Sequence, residues 1–290
     1  MEISAKTKVF AVLGDPIEHT LSPMIQNYAA GLRGLDMSYH AFHVLRDGLE
    51  NAVKGGFSLG ISGFNITVPH KKDVMKYLCG LDKNAEAIGA VNTLKLTPNG
   101  YVGHNTDIIG AYYALETNGV EIKDKNVVVF GAGGAGNACA AMAASRGAKK
   151  VIIANRTLNT AKELAAHLLK FYASDIRAVG MDEIYDIDAD VAINCTTLGF
   201  GAKADMTPVG DVSWYKKAGV STAFDAVYSP WETRFLREAK QEGVKTVNGF
   251  PMLVHQALAA QEIWFDIEYT AQERQKICDE LTQKYLSQKQ

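Results

Sequence analysis

Short apolar runs closed by turn residues alternate along this chain with stretches whose apolar positions recur at helical spacing. Val9-Phe10-Ala11-Val12-Leu13 ends at Gly14-Asp15-Pro16, the pattern of a buried strand followed by a turn. A helix is expected from about Pro23. Thr20 and Ser22 are candidate caps, Pro23 suits a first turn, and Met24, Tyr28 and Leu32 recur at helical spacing. Residues 38–44, 63–67 and 91–96 read as further strands, and Thr97-Pro98-Asn99-Gly100 turns the last of these into Tyr101-Val102-Gly103 as a hairpin. From Val127 the alternation becomes more regular: residues 127–130, 151–154, 191–195, 223–227 and 246–247 are short β-rich runs, most of them separated by helical stretches. Continuous apolar strands linked by crossovers predict a parallel sheet covered on both faces, and hence a doubly wound domain. The stretch from Met252 onward, with Leu253, Leu258, Ile263, Phe265, Ile277, Leu281 and Tyr285, is helical in character and is expected to return to the N-terminal half.

The fold class is therefore α/β in two domains. Residues 1–110, completed by helices in 251–290, form an N-terminal α/β domain, and residues 111–250 form a Rossmann-like domain with a parallel sheet. A length of 290 residues agrees with this, at roughly 150 residues per domain. With 47% hydrophobic residues the chain can bury a sizeable core. The formal net charge of -2, with no basic block longer than Lys71-Lys72, Lys149-Lys150 and Lys216-Lys217, excludes a polyanion-binding signature, so nucleic acid is not an expected partner. Met1-Glu2-Ile3-Ser4-Ala5-Lys6 leads straight into a strand-like run, and no segment has the length and apolarity of a membrane span; a cytoplasmic location and no membrane partner are expected. Cys79, Cys139, Cys195 and Cys278 are too scattered for a metal or redox motif and are expected to be reduced and mostly buried. The seven histidines include no His-x-x-x-His pair, so no metal is expected. Oligomeric state is open between monomer and homodimer.

Val127-Val128-Val129-Phe130 runs directly into Gly131-Ala132-Gly133-Gly134-Ala135-Gly136, after which an alanine-rich stretch is compatible with a helix. A pyrophosphate needs this order. One glycine permits the tight turn, one lets the backbone approach the phosphates, and one allows close helix packing, while the helix start offers N–H groups. A glycine turn in an ordinary α/β fold can match the same pattern, so the context of strand and helix carries the reading. The next strand ends in Asn155-Arg156-Thr157, where an NAD-selective site would carry an acid for the ribose 2'-hydroxyl. Arg156 can instead grip a 2'-phosphate in a fork, with Asn155 and Thr157 as neutral donors, which favours NADP over NAD. Two ionisable residues also stand at the ends of apolar, turn-punctuated segments: Lys71 closes Asn65-Ile66-Thr67-Val68-Pro69-His70-Lys71, and Asp107 closes Gly103-His104-Asn105-Thr106-Asp107. Their separation is not that of an ion pair on one helix, so a lysine-carboxylate pair here requires the fold to assemble it.

Taken together these segments resemble the shikimate and quinate dehydrogenase family over essentially the whole chain. The matching stretches are Thr20-Leu21-Ser22-Pro23, the segment ending in Lys71, Ile88-Gly89-Ala90-Val91-Asn92-Thr93, Asn105-Thr106-Asp107, the glycine run, Asn155-Arg156-Thr157, Asn194-Cys195-Thr196, Tyr228-Ser229-Pro230 and Met252-Leu253-Val254-His255-Gln256. The resemblance implies Lys71 and Asp107 as the catalytic pair of an NADP-dependent enzyme that reversibly reduces 3-dehydroshikimate to shikimate. It implies Asn65, Thr67, Asn92, Tyr228 and Gln256 on the substrate ring, and Thr196 and Gly249 on the cofactor beside Gly131, Gly133, Gly134, Ala135 and Gly136. A cyclic polyol acid agrees with this donor set, because neutral amides and hydroxyls fix hydroxyl groups without adding charge. Thr20 and Ser22, at a helix start, can bind its carboxylate; the competing reading is an ordinary helix cap. If Lys71 is the base, desolvation must offset the upward pull of a neighbouring carboxylate on a group that titrates near pH 10.4 when free. If it stays charged, it stabilises negative charge developing on oxygen. Thr20, Ile108, Phe200 and Pro251 depart from the pattern of shikimate-specific members, which keeps open a paralogue acting on quinate or aminoshikimate with NAD or NADP. A non-catalytic ring-acid sensor is the alternative from a different class.

Overall fold

The computed structural model describes residues 3–288; Met1, Glu2, Lys289 and Gln290, at the outer ends of the expected 1–110 and 251–290 segments, lie outside the described residues. The chain divides into two compact units, Met1–Thr106 with Val254–Gln290 and Asp107–Leu253. The divisions thus fall at 106/107 and 253/254, against the expected 110/111 and 250/251. Asp107 opens a new helix, and a helix begun at Phe250 is what carries the chain back to the first unit.

The first unit runs β1 (Lys8–Gly14), α1 (Ser22–Arg33), β2 (Met37–His43), α2 (Leu49–Ser58), β3 (Gly63–Ile66), β4 (Gly80–Leu81), α3 (Lys83–Ile88), β5 (Thr93–Thr97) and β6 (Gly100–His104). Its sheet has the order β2-β1-β3-β5-β6-β4; β1 is parallel to both β2 and β3, and the β5-β6 hairpin joins antiparallel. Side chains of a strand alternate between faces. In β1, Ala11 and Leu13 pack with Leu49, Val53, Phe64 and Tyr101, whereas Phe10 and Val12 pack with Ala30, Met37 and Trp264. Both faces are covered, which is why Val9 to Leu13 is an unbroken apolar run. The strand expected over 91–96 starts only at Thr93, because the Val91 N–H is directed to the Lys71 carbonyl at 2.8 Å instead of to the sheet.

The second unit runs α4 (Asp107–Glu116), β7 (Asn126–Phe130), α5 (Gly134–Ser145), β8 (Lys150–Ala154), α6 (Leu158–Leu168), β9 (Asp175–Val179), β10 (Val191–Asn194), α7 (Trp214–Lys217), β11 (Thr222–Asp225), α8 (Arg234–Gln241) and β12 (Lys245–Val247). The strand order is β12-β11-β10-β7-β8-β9 with every pairing parallel, the doubly wound arrangement in which the order of the strands reverses between β7 and β10. β9 has no counterpart in the sequence reading. It is an edge strand whose Asp-Ile-Arg-Ala-Val buries only Ile176 fully, so it lacks the apolar run that marks a central strand. In α5 the residues from Gly136 to Ala144 are all buried, as a helix flanked on more than one side must be. Small alanines let it lie close to the sheet.

The chain then returns through α9 (Phe250–Phe265) to α10 (Ala271–Ser287). Trp264 stacks on Phe10 with ring centroids 4.4 Å apart and donates Nε1–H to the Leu94 carbonyl at 2.9 Å. A capping box between Thr270 and Glu273 starts α10. Cys139 and Cys278 are buried, Cys195 is half-buried and Cys79 is exposed, so the expectation of mostly buried thiols holds for only part of the set; Cys79 lies at the short edge strand β4, which offers little cover. Among the described residues no helix is long and apolar enough to cross a membrane.

Candidate active site

In the first unit the turn after β3 is anchored on all sides. The Thr67 N–H donates to the Leu13 carbonyl at 3.0 Å and the Asp15 N–H to the Val68 carbonyl at 3.0 Å, extending the β1-β3 contact past the strands. His70 is fully buried and its Nε2 lies 2.6 Å from the Val44 carbonyl, an acceptor only, so this nitrogen carries the proton. With Val91 bonded to its carbonyl, the Lys71 backbone is held from both neighbours, and its side chain is half-buried.

Beside this turn the expected ring-holding residues form one buried network. Asn65 Nδ2 donates to the Asn92 carbonyl at 3.2 Å and to Thr93 Oγ1 at 3.0 Å, while Asn65 Oδ1 accepts from the Tyr39 hydroxyl at 2.6 Å and from Gln26 Nε2 at 3.2 Å. Asn92 Oδ1 accepts from the Thr106 N–H at 2.8 Å, and its Nδ2 donates to Thr106 Oγ1 at 3.0 Å. Thr20 and Ser22 do not cap α1: the N-cap is Leu21 and no side chain caps it, so the helix-cap reading of these hydroxyls is not met. The Thr20 hydroxyl donates to Ser22 Oγ at 3.1 Å instead, and burial raises the Tyr39 phenol well above its ordinary range. Gln256 lies half-buried on α9. Tyr39 and Gln26 are absent from the sequence reading, and Thr93 and Thr106 enter it only inside matching stretches, with no role of their own. Gln26 had a visible signal, a polar residue on the buried face of α1 with Ile25, Ala29 and Ala30. Tyr39 had none, since a tyrosine in a strand is ordinary.

The second unit holds the cofactor candidates. Gly131 has φ 99°, a conformation that L side chains rarely adopt, and a Cβ on Gly136 would stand 1.9 Å from the Gly131 carbonyl oxygen. A Cβ on Gly133, the α5 N-cap, would meet nothing within 4 Å, so the missing side chain leaves open space where N–H groups of Gly134, Ala135 and Gly136 have no intrahelical acceptor. That cradle fits a pyrophosphate. Asn155 ties it to the neighbouring loop: its Oδ1 accepts from the Ala132 N–H at 3.2 Å and its Nδ2 donates to the Thr157 carbonyl at 2.9 Å. Sequence reasoning assigned Asn155 as a donor to phosphate, whereas one N–H and the oxygen are engaged within the protein. Arg156 is exposed and, among the described residues, makes no ion pair; Thr157 is the N-cap of α6 but its side chain caps nothing.

At the ends of β10 and β11 lies a second set. Asn194 Nδ2 donates to Asp225 Oδ1 at 3.0 Å and Asn194 Oδ1 accepts from the Thr196 hydroxyl at 2.8 Å, so Thr196 is held under Gly131, whose added Cβ would lie 3.2 Å from Thr196 Cγ2. Asp225 also accepts from the Thr233 hydroxyl at 2.5 Å and the Val227 N–H at 2.9 Å; burial nevertheless pushes its carboxyl up to about 6. Gly249 packs so closely that a Cβ would lie 2.4 Å from the Ala226 carbonyl oxygen, which explains a glycine there by packing alone. Tyr228 is half-buried in the loop after β11. Asp107, first residue of α4, is 7% exposed, and its charge is among those that push the Cys195 thiol up. Lys71 belongs to the first unit and Asp107 to the second, each fixed within its own unit. Among the described residues no group of three or more His, Cys, Asp or Glu side chains could hold a metal ion.

Two family models match these halves: the shikimate dehydrogenase substrate binding domain over residues 12–94, and shikimate / quinate 5-dehydrogenase over residues 114–199. The chain is 42% identical to a shikimate dehydrogenase (NADP(+)) of Methanocaldococcus jannaschii, over 92% of this chain and 94% of that one. The chain belongs to the shikimate and quinate dehydrogenase family. Solved members of similar structure include a shikimate 5-dehydrogenase of Thermus thermophilus in complex with NADP(H) and shikimate, with a TM-score of 0.82, 31% identity and coverage of 94% of this chain and 99% of that one. A 5-ketofructose reductase of a Gluconobacter strain, ligand-free, has a TM-score of 0.81 at 27% identity, covering 96% of this chain and 100% of that one. The shikimate and quinate dehydrogenase scaffold is therefore similar to proteins named for more than one substrate.

Proposed function

We propose that this protein is an NADP-dependent shikimate dehydrogenase that reversibly reduces 3-dehydroshikimate to shikimate. The observation that carries the proposal is likeness over nearly the full length to proteins named shikimate dehydrogenase (NADP(+)), at 42% identity across 92% of the chain. NADP(H), when bound, takes up or supplies the hydride. The glycine cradle at Gly131, Gly133, Gly134, Ala135 and Gly136 would hold its pyrophosphate, Arg156 and Thr157 its 2'-phosphate, and Thr196 with the Gly249 backbone would line its remaining part.

The first unit takes the substrate-binding role and the second the cofactor-binding role. Lys71 accepts the hydroxyl proton in oxidation and returns it in reduction, and Asp107 serves as the second member of the catalytic pair. Thr20 and Ser22 bind the ring carboxylate, with the α1 start adding a favourable dipole. Asn65, Thr67, Asn92, Tyr228 and Gln256 hold ring hydroxyls and so decide which carbon is presented for reaction. The aqueous cell interior suits this chemistry, and the molecule acts as monomer or homodimer without nucleic acid or membrane. The steady-state test compares shikimate and quinate, each with NADP and NAD. Shikimate with NADP is expected to give the highest kcat/KM by a wide margin; quinate with NAD leading would overturn both substrate and cofactor, and no turnover of any pair would leave a ring-acid binder.

A further inference from the structure

The orientation of the Asn65 amide is over-determined by residues that no substrate needs to touch. Gln261 on α9 donates Nε2–H to the Gln26 backbone carbonyl at 2.9 Å and to Gln26 Oε1 at 2.8 Å. A backbone carbonyl only accepts, so the Gln261 amide can sit in one way, and the Tyr269 hydroxyl donates to its oxygen at 2.6 Å. Gln26, 0% exposed, must then turn its own Nε2 away from Gln261, toward Asn65 Oδ1. From the other side the Tyr39 hydroxyl reaches the same oxygen. Tyr39 is itself clamped: Asn27 accepts the Tyr39 N–H and donates to the Tyr39 carbonyl, both at 2.9 Å, covering the open edge of β2. With two donors on its oxygen, Asn65 must turn its nitrogen the other way, where its two N–H groups are taken by the Asn92 carbonyl and the Thr93 hydroxyl.

We infer that Tyr39 and Gln26 are positioning residues of the substrate subsite: by fixing the Asn65 oxygen they turn its nitrogen onto the Asn92 carbonyl and the Thr93 hydroxyl, and so hold the Asn65-Asn92 part of the subsite in one arrangement. This rests on the proposed place of Asn65 and Asn92 in the substrate subsite. Gln261 and Tyr269 extend the same chain into the C-terminal helices, giving their return to the first unit a part in recognition.

The test measures KM for the ring acid, KM for NADP, kcat and Tm for Tyr39→Phe, Gln26→Met and Asn65→Ala, together with the Tyr39→Phe/Asn65→Ala double variant. Tyr39→Phe and Gln26→Met each remove one donor to Asn65 with little change of shape. Each is expected to raise the ring-acid KM roughly three- to tenfold and to leave the NADP KM unchanged, and Tyr39→Phe is expected to add nothing in the Asn65→Ala background. Gln26→Glu sets an acceptor against Asn65 Oδ1 and is expected to raise that KM more than Gln26→Met. Wild-type ring-acid KM in both single variants, with a raised value in Asn65→Ala, overturns the inference while sparing the role of Asn65. Unchanged KM in Asn65→Ala removes Asn65 from the subsite and overturns both. Additive effects in the double variant, or equal rises in the two KM values, would assign Tyr39 a structural role only. A variant that fails to fold leaves the other to decide.

Discussion

Lys71 is reached by the backbone from both sides, through the buried His70 bonded to Val44 and through the Val91 N–H on its own carbonyl. Such anchoring fixes the Lys71 backbone, the origin from which its amine reaches, and general acid-base work needs a defined position. Lys71→Ala is expected to lower kcat by roughly 10²- to 10⁴-fold with a smaller change in ring-acid KM; a wild-type kcat would remove Lys71 from the mechanism. Lys71, Asp107, Asn65 and Asn92 could be named as candidates from the sequence because each sits in a short motif that carries the family resemblance. Tyr39 and Gln26 were not. Their part depends on which atom of Asn65 they reach, and that is decided by how α1 and β2 pack. Asn155 shows the same limit from the other side: its type suggested a phosphate donor, and the structure uses it to bind the glycine loop to the loop after β8.

At the scale of elements, the β7 to α5 turn is where local sequence and geometry agree most closely, and its glycines separate by purpose. An added methyl at Gly136 would collide with backbone at 1.9 Å, whereas one at Gly133 would meet nothing within 4 Å. Gly136→Ala is therefore expected to lower Tm, at an overpacking cost of about 1–3 kcal/mol, and to weaken NADP binding with it. Gly133→Ala is expected to leave Tm within error while weakening NADP binding, since its methyl enters only the space left for phosphate. Thermal melts and fluorescence titration with NADPH distinguish the two, and a lowered Tm for Gly133→Ala would refute the open-cradle reading. The start of α1 agrees with the expectation of a helix from about Pro23, whose first turn holds that proline, whereas the suspected caps Thr20 and Ser22 bond one another. β9 escaped notice because an edge strand needs little apolar character; its neighbour β8 buries four of five residues.

For the whole molecule, two buried ionisable groups set opposing slopes of stability against pH. Burial, aided by the Arg274 charge, pushes His255 down to about 3. The unfolded chain takes up a proton there below about pH 6.5 and the folded chain does not, so this contribution is full above 6.5 and is lost as pH falls toward 3. Asp225 is pushed up to about 6 by burial, against the pull of its Thr233, Val227 and Asn194 donors, so its contribution is present below the ordinary carboxylate range and is lost as pH rises through 6. Between pH 6 and 4, the Tm of His255→Gln relative to wild type is expected to rise as pH falls, and that of Asp225→Asn to drop. Parallel slopes for the two variants would refute these environments. The sequence by itself determined the alternation of elements, the parallel second sheet, the glycine turn and the chemistry of the main site candidates, because these follow from periodicity and residue type over a few neighbours. Only the tertiary structure decided which amide face Asn65 presents, what holds Lys71 in place and which carboxyl is buried enough to titrate near neutrality. Those depend on atoms brought together from distant parts of the chain, and a hydrogen bond or a desolvated charge is defined by distance and surroundings that no local pattern encodes.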